Sequence, residues 1–243
     1  MNLWAITDTG LVRPQNQDAY CAQMLSQDRA LLAVCDGMGG AKAGNVASRL
    51  AIDTFSAAVM EALTVSDEPE ALRQGLVQAV DSANTVVRRR AVQDPDCAGM
   101  GTTLVAALVN EENCYFLNVG DSRAYRISSA GIRQITRDHS LVGDLMAEGK
   151  ITAEQARTHP QKNLITRALG AEERVQADFF CEACVSGEFI LLCSDGLSNQ
   201  LSDQELLYEV LYGGPSEECC GRLLNTALSR GAPDNVTAVL LQM

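Results

Sequence analysis

Six short apolar runs, set apart by polar or glycine-bearing segments, leave this chain few architectures. They cover residues 31–35, 103–109, 114–119, 124–127, 189–193 and 236–241, and each has the length of a strand. Apolar residues at helical spacing predict helices over 45–63 and, apart from Gly75, over 70–92. Ser202 and Glu205 have the spacing of a capping box ahead of a helix over 203–212. A last helix is predicted over 217–229, closed by Gly231 and Pro233. Strands therefore precede and follow a pair of long helices, then bracket a second pair. This is not a regular strand–helix–strand alternation, so an open, doubly wound parallel sheet is disfavoured. Antiparallel sheets covered by helices fit better. No internal repeat or linker-like stretch divides the 243 residues, which predicts one domain over 1–243.

The same sequence excludes several function classes. The longest unbroken apolar runs, 30–35 and 104–109, have six residues each. A membrane-spanning helix needs about 20, so no membrane association is expected. The start, Met1-Asn2-Leu3-Trp4, has neither a basic region nor a long apolar stretch, which predicts no export signal and a cytoplasmic location. With 19 basic and 31 acidic residues the formal charge is −12, unsuited to nonspecific binding of nucleic acid or anionic lipid. Such a chain can still hold a phosphate if metal ions reverse the local sign. The nine cysteines, several inside apolar runs, read as reduced, buried thiols. Cys181 and Cys184 have the spacing of a metal chelate. No second such pair or paired histidine accompanies them, and a strand would place the two on opposite faces.

The chain lacks the GxSxG, GxxxxGK[ST] and HExxH signatures and has two histidines, His139 and His159. What recurs is aspartate beside glycine or asparagine at the end of an apolar run. Asp36 follows the run 31–35 and opens Asp36-Gly37-Met38-Gly39-Gly40. Asp121 follows Gly120, Asp195 precedes Gly196, Asp234 and Asn235 precede 236–241, and Asp18 precedes Ala19-Tyr20-Cys21. Any one of these is an ordinary turn former. Five at strand boundaries place carboxylates where rigid elements could aim them at a common point. An oxygen-only cluster selects hard cations such as Mg²⁺, Mn²⁺ or Ca²⁺. Two such ions about 3.5–4 Å apart can activate a water and clamp a phosphoryl group.

Taken in order, the segments resemble the compact bacterial form of the PP2C-type (PPM) metal-dependent protein serine/threonine phosphatases. The resemblance is carried by residues 7–18, 36–40, 101–103, 118–123, 137–140, 163–170, 194–197 and 234–235. It implies an α+β fold, a four-layer αββα sandwich of two antiparallel β-sheets flanked by α-helices, with metals at one end between the sheets. It also implies hydrolysis of phosphoserine and phosphothreonine monoesters on proteins, by a water activated between two Mn²⁺ or Mg²⁺ ions. By match to the motifs, Asp36 bridges the two metals, the Gly37 carbonyl joins one, and Asp195 and Asp234 hold the second. Asp18 contacts the cluster largely through bound water. Asp121, with Asp195, matches a third, weaker metal position. Arg13 matches the arginine that grips the substrate phosphate. The implied catalytic residues are thus Asp36, Asp18 and Arg13. The polar segment 140–162 matches a variable flap beside the site, and Thr152 with Gln155 predicts a short helix in it. Implied partners are phosphorylated proteins, including a cognate serine/threonine kinase, with a monomeric state.

One departure stands out. Relatives often carry a histidine within or just after the glycine-rich motif, where this chain has Met38 and Ala41. That histidine is thought to protonate the leaving alkoxide, so its absence puts a dedicated general acid in doubt and leaves metal-bound water as the hypothesised proton source. His139, inside the 137–140 motif, reads as structural, and His159, before Pro160, as exposed. Competing readings are a histidine-based metallophosphoesterase, which two histidines cannot furnish, and a catalytically weak binding module of the same fold. The second should have lost its aspartates, yet Asp18, Asp36, Asp195 and Asp234 remain. A calcium-binding structural protein lacks the required DxDxDG loop.

Overall fold

The protein is described from a computed structural model covering the backbone of residues 1–243 and every side chain except those at positions 40–42, 153 and 157. Chain order is β1 (Asn2–Asp8), β2 (Asp18–Met24), β3 (Ala30–Met38), α1 (Gly40–Val65), α2 (Pro69–Gln93), β4 (Gly101–Thr102), β5 (Leu104–Val109) and β6 (Asn113–Val119). It continues with β7 (Arg123–Ser128), β8 (Gly131–Gln134), α3 (Leu141–Ala147), α4 (Ala153–Arg157) and β9 (Asp178–Ala183). Last come β10 (Phe189–Cys193), α5 (Asp195–Ser198), α6 (Asp203–Leu211), α7 (Cys219–Ser229) and β11 (Val236–Gln242). One sheet has the order β1-β11-β10-β7-β8 and the other β2-β3-β5-β6-β9, with β4 paired to β3. Every pairing is antiparallel.

Period-two alternation in the interior strands builds the layers. Leu31, Ala33 and Cys35 of β3, with Leu104, Ala106 and Leu108 of β5, pack under α1 and α2. The intervening Ala30, Leu32 and Val34, with Val105 and Ala107, face the other sheet and meet Ile190, Leu192, Val239 and Leu241. Leu191 and Cys193, with Ala238 and Leu240, face α6 and α7 instead. The result is the expected four-layer αββα sandwich.

All six expected strands are interior strands of these sheets. Sequence patterning marks none of the other five: β1, β2, β8 and β9 are the four sheet edges, and β4 is a two-residue strand paired to β3. An edge strand is half solvated and mixes polar with apolar residues, so it shows no continuous apolar run. The capping boxes at Ser202–Glu205 and Thr152–Gln155 are both formed, the second opening α4 within the 140–162 segment.

Candidate metal centre

The β2–β3 register sets Asp18 directly opposite Asp36. Cβ atoms of such a pair lie about 4.5–5.5 Å apart, where like charges repel. Asp18 is 7% exposed. Its Oδ2 accepts hydrogen bonds from Ser194 Oγ at 2.7 Å and Thr237 Oγ1 at 2.6 Å. Thr237 Oγ1 also lies 2.7 Å from Thr7 Oγ1. Ser194, Thr237 and Thr7 belong to the strands of the opposite sheet or their ends, so Asp18 is gripped from across the sandwich. Asp18 Oδ1 is buried and has no partner among the described residues. Burial raises the Asp18 pKa to about 7, against the opposing pull of the two hydroxyls.

Asp36 is clamped through its main chain. Its N–H donates to Thr103 Oγ1 at 2.8 Å, and its carbonyl accepts from Thr103 N at 2.9 Å and Thr102 Oγ1 at 2.8 Å. Burial, then the charges of Asp18, Asp195, Asp121 and Asp234, push its carboxyl well above the ordinary range. Gly37 follows where no side chain fits. A Cβ there would lie 2.0 Å from the Gly44 carbonyl oxygen and 2.6 Å from that of Gln17.

Asp195 opens α5, and its Oδ2 accepts from Asn199 Nδ2 at 3.0 Å. Its Oδ1 is a second buried carboxylate oxygen without a partner among the described residues. Burial, then Asp234, raises its pKa. Asp121 follows Gly120, which takes φ +107° against the side chain of Thr103. Burial, then Asp195 and Asp138, raises the Asp121 pKa to about 8. His139 holds this turn from behind. Its Nδ1 accepts from Gly120 N–H at 3.1 Å, and its own N–H donates to the Gly120 carbonyl at 2.9 Å. Because Nδ1 accepts, the ring proton sits on Nε2, 3.2 Å from Asp178 Oδ2.

Asp234 Oδ2 accepts from Arg13 Nη2 at 2.7 Å, and its Oδ1 accepts from Asn235 N–H at 2.9 Å. Asn235 in turn fastens the loop that carries Arg13. Its Nδ2 donates to Thr9 O at 2.8 Å and Gln15 O at 2.9 Å, while its Oδ1 accepts from Gln17 N at 2.8 Å.

Arg13, Asp36, Gly37, Asp121, Asp195 and Asp234 thus line one cleft of about 480 Å³, and Asp18 stands buried behind Asp36. Arg13, anticipated on a phosphate, is paired here with Asp234 at the rim. Met38 also lines the cleft, while Ala41 lies outside the described residues. No histidine lines it among the described residues. His159 is half-buried rather than exposed, its Nδ1 accepting from Gln161 N. The supports of the site, Thr237, Ser194, Thr103 and Asn235, carry no charge and no metal-ligand signature, so sequence reasoning gave them no role.

The donor set fits hard cations. It is all oxygen, two carboxylate oxygens are buried without partners, and four carboxyls are held above their ordinary pKa by burial and mutual repulsion. Among the described residues no three carboxylate, thiol or imidazole groups are already gathered as a closed chelate. The aspartates surround a cleft instead of closing on a point.

A profile of the protein phosphatase 2C family matches residues 13–240. The serine/threonine phosphatase stp of Listeria monocytogenes is 37% identical over 238 residues, covering 97% of this chain and 93% of its own length. The crystal structure of the Mycobacterium tuberculosis serine/threonine phosphatase PstP/Ppp superimposes with a TM-score of 0.88 at 38% identity, covering 100% of this chain and 99% of that one. A structure of the PstP catalytic domain in complex with two manganese ions gives a TM-score of 0.84 at 37% identity, covering 98% and 96%.

Proposed function

This chain belongs to the protein phosphatase 2C family, and from that premise we propose that it hydrolyses phosphoserine and phosphothreonine monoesters on proteins with Mn²⁺ or Mg²⁺ as cofactor. The observation that carries the reading is the shared cleft. Asp36, Asp121, Asp195 and Asp234 open onto it, with Arg13 the one cation lining it among the described residues.

Asp36, Asp195, Asp234 and the Gly37 carbonyl are the residues to hold two ions. Asp121 with Asp195 is the pair for a third, weaker one. When bound, the ions supply Lewis acidity for water and charge neutralisation for the phosphoryl oxygens. The residues do the rest. Thr102 and Thr103 fix the Asp36 main chain, and with it the point from which its carboxyl reaches the cleft. Ser194 and Thr237 occupy one oxygen of Asp18 and leave Oδ1 to orient a water at the cluster. Arg13 sits on an exposed loop at the rim, where its planar fork can exchange Asp234 for a phosphate. The 140–162 flap lines a neighbouring pocket that shares Asp121 and Asp195 with the cleft, and it is the candidate for docking the protein around the phosphoresidue. Among the described residues no helix is long and apolar enough to cross a membrane. We place the protein in the cytoplasm as a monomer, acting on phosphoproteins that include a cognate serine/threonine kinase.

The test is release of phosphate from a phosphothreonine peptide and of p-nitrophenol from its phosphate ester, with Mn²⁺, with Mg²⁺ and with EDTA. Turnover that needs metal, and that Asp195→Asn abolishes without unfolding the protein, supports the reading. No turnover of either substrate by folded protein under any metal overturns it in favour of a binding module.

A further inference from the structure

Three sulfur atoms from separate parts of the chain meet at the end of the sandwich remote from the aspartates. Strand β6 runs from Cys114 at this end toward Asp121 at the other, and β11 runs from Asp234 to Met243 in the opposite sense. Cys114 Sγ lies 3.6 Å and Cys184 Sγ 3.4 Å from Met243 Sδ. Both thiols therefore converge on the one thioether sulfur. Cys114 is 1% exposed in the core between the sheets, and Cys184 and Met243 pack half-buried at its edge.

The backbone fixes this arrangement. Cys184 N–H donates to Glu112 O at 2.8 Å, Met243 N–H donates to Glu188 O at 2.9 Å, and Met243 O accepts from Gly187 N at 2.8 Å. The register also separates the sequence pair that looked like a chelate. Cys181 is exposed and turns its thiol to Asn113 Oδ1 at 3.8 Å, leaving Cys184 to Cys114 and Met243.

We propose that Cys114, Cys184 and Met243 form a binding site for a soft monovalent metal ion, copper(I). Two thiolates and a thioether are soft ligands that select copper(I) over hard cations. Structural zinc wants four ligands, and among the described residues no three Cys, His, Asp or Glu groups gather here to supply them; Glu182 and Glu188 are both engaged by Arg126. A Cys114–Cys184 disulfide fits poorly. Cys114 faces Glu182 across the ladder, so Cys184 is its diagonal neighbour. Diagonal Cα atoms stand about 7–8 Å apart, at or beyond the roughly 7 Å that a disulfide can bridge. Binding transfers no electron. Cu⁺ displaces the protons of two thiols, which leave to solvent, and the resulting site carries one net negative charge.

The test uses the full chain as Cys181→Ser, which removes the exposed thiol, titrated anaerobically with Cu(I) in competition with bathocuproine disulfonate. Methyl-¹³C methionine spectra are recorded in parallel. The expected result is one equivalent withdrawn from the chelator together with a shift of the Met243 methyl resonance. Adding Cys184→Ser should weaken uptake by roughly 100-fold or more, above the 10–100-fold typical of losing an outer-shell partner. Met243→Leu, which keeps the packing, should weaken it by a smaller factor. Copper taken up without movement of the Met243 methyl, no uptake at all, or equal uptake by the parent and both variants would each overturn the proposal.

Discussion

Asp18 shows how single residues set this site. A buried carboxyl beside other carboxyls costs stability unless something holds and neutralises it. Here two hydroxyls hold one oxygen and leave the other without a partner among the described residues. Thr237→Val keeps the shape and removes one of those donors. It is expected to weaken Mn²⁺ binding by roughly 10–100-fold, as loss of an outer-shell partner does, with little change in the far-ultraviolet spectrum. Unchanged manganese affinity by calorimetry would show that Asp18 needs no such support. His139 acts at the same scale through Gly120, next to Asp121. His139→Ala should raise the manganese concentration for half-maximal activity more than it lowers the limiting rate, because it loosens the outer aspartate and leaves Asp36 clamped. A fall in the limiting rate alone would argue against this role.

At the scale of elements, the loop between β1 and β2 depends on one side chain. Asn235 gives it three hydrogen bonds from the start of β11. Asn235→Ala strands those backbone groups, and each one left buried and unpaired costs about 1–3 kcal/mol. The expected outcome is a lower melting temperature and faster proteolysis within 9–17, the segment that carries Arg13. The β3–α1 junction allows less adjustment still. Gly37→Ala would set a methyl group 2.0 Å from a carbonyl oxygen, so main chain would have to move. Loss of metal binding with retained helix content would localise the damage to the junction.

Across the whole molecule, the carboxylates couple charge to stability. Asp18 titrates near 7 and Asp121 near 8, both raised, where unfolded carboxyls titrate near 4. Between about pH 4 and pH 8 the native protein therefore binds more protons than the unfolded chain. In that window stability falls as pH rises. His139, lowered chiefly by burial, works the other way below about pH 6.5, but it is one group against four raised carboxyls. EDTA-treated protein is expected to melt at a lower temperature at pH 8 than at pH 5. Saturating Mn²⁺ should raise the melting temperature more at pH 8, since the ions replace the protons. A flat or inverted profile for the EDTA-treated protein would count against the aspartate cluster. The cleft also lacks a histidine among its described lining residues. Aryl phosphates, whose leaving groups need no proton, should turn over faster than alkyl phosphates. Equal rates would require an acid elsewhere in the site.

The interior of this protein is legible along the chain. Strands buried on both faces must be apolar along their length, so β3, β5, β6, β7, β10 and β11 were all legible, as were the four long helices. The sequence also marked Asp18, Asp36, Asp121, Asp195 and Asp234, because each ends or begins an apolar run, and the ordered motifs named the family. Edge strands were not legible, since a half-solvated strand shows no continuous apolar run. Convergence of the aspartates comes from the pairing and stacking of the two sheets. The register that opposes Asp18 to Asp36, the hydroxyls that reach across from the other sheet, and the pairing of Arg13 with Asp234 all join residues distant along the chain. The same holds for Cys184, whose sequence neighbour Cys181 turns away and whose partners arrive from two other strand ends. Spacing along one chain records which side chains share a face. Which faces meet depends on how the two sheets stack.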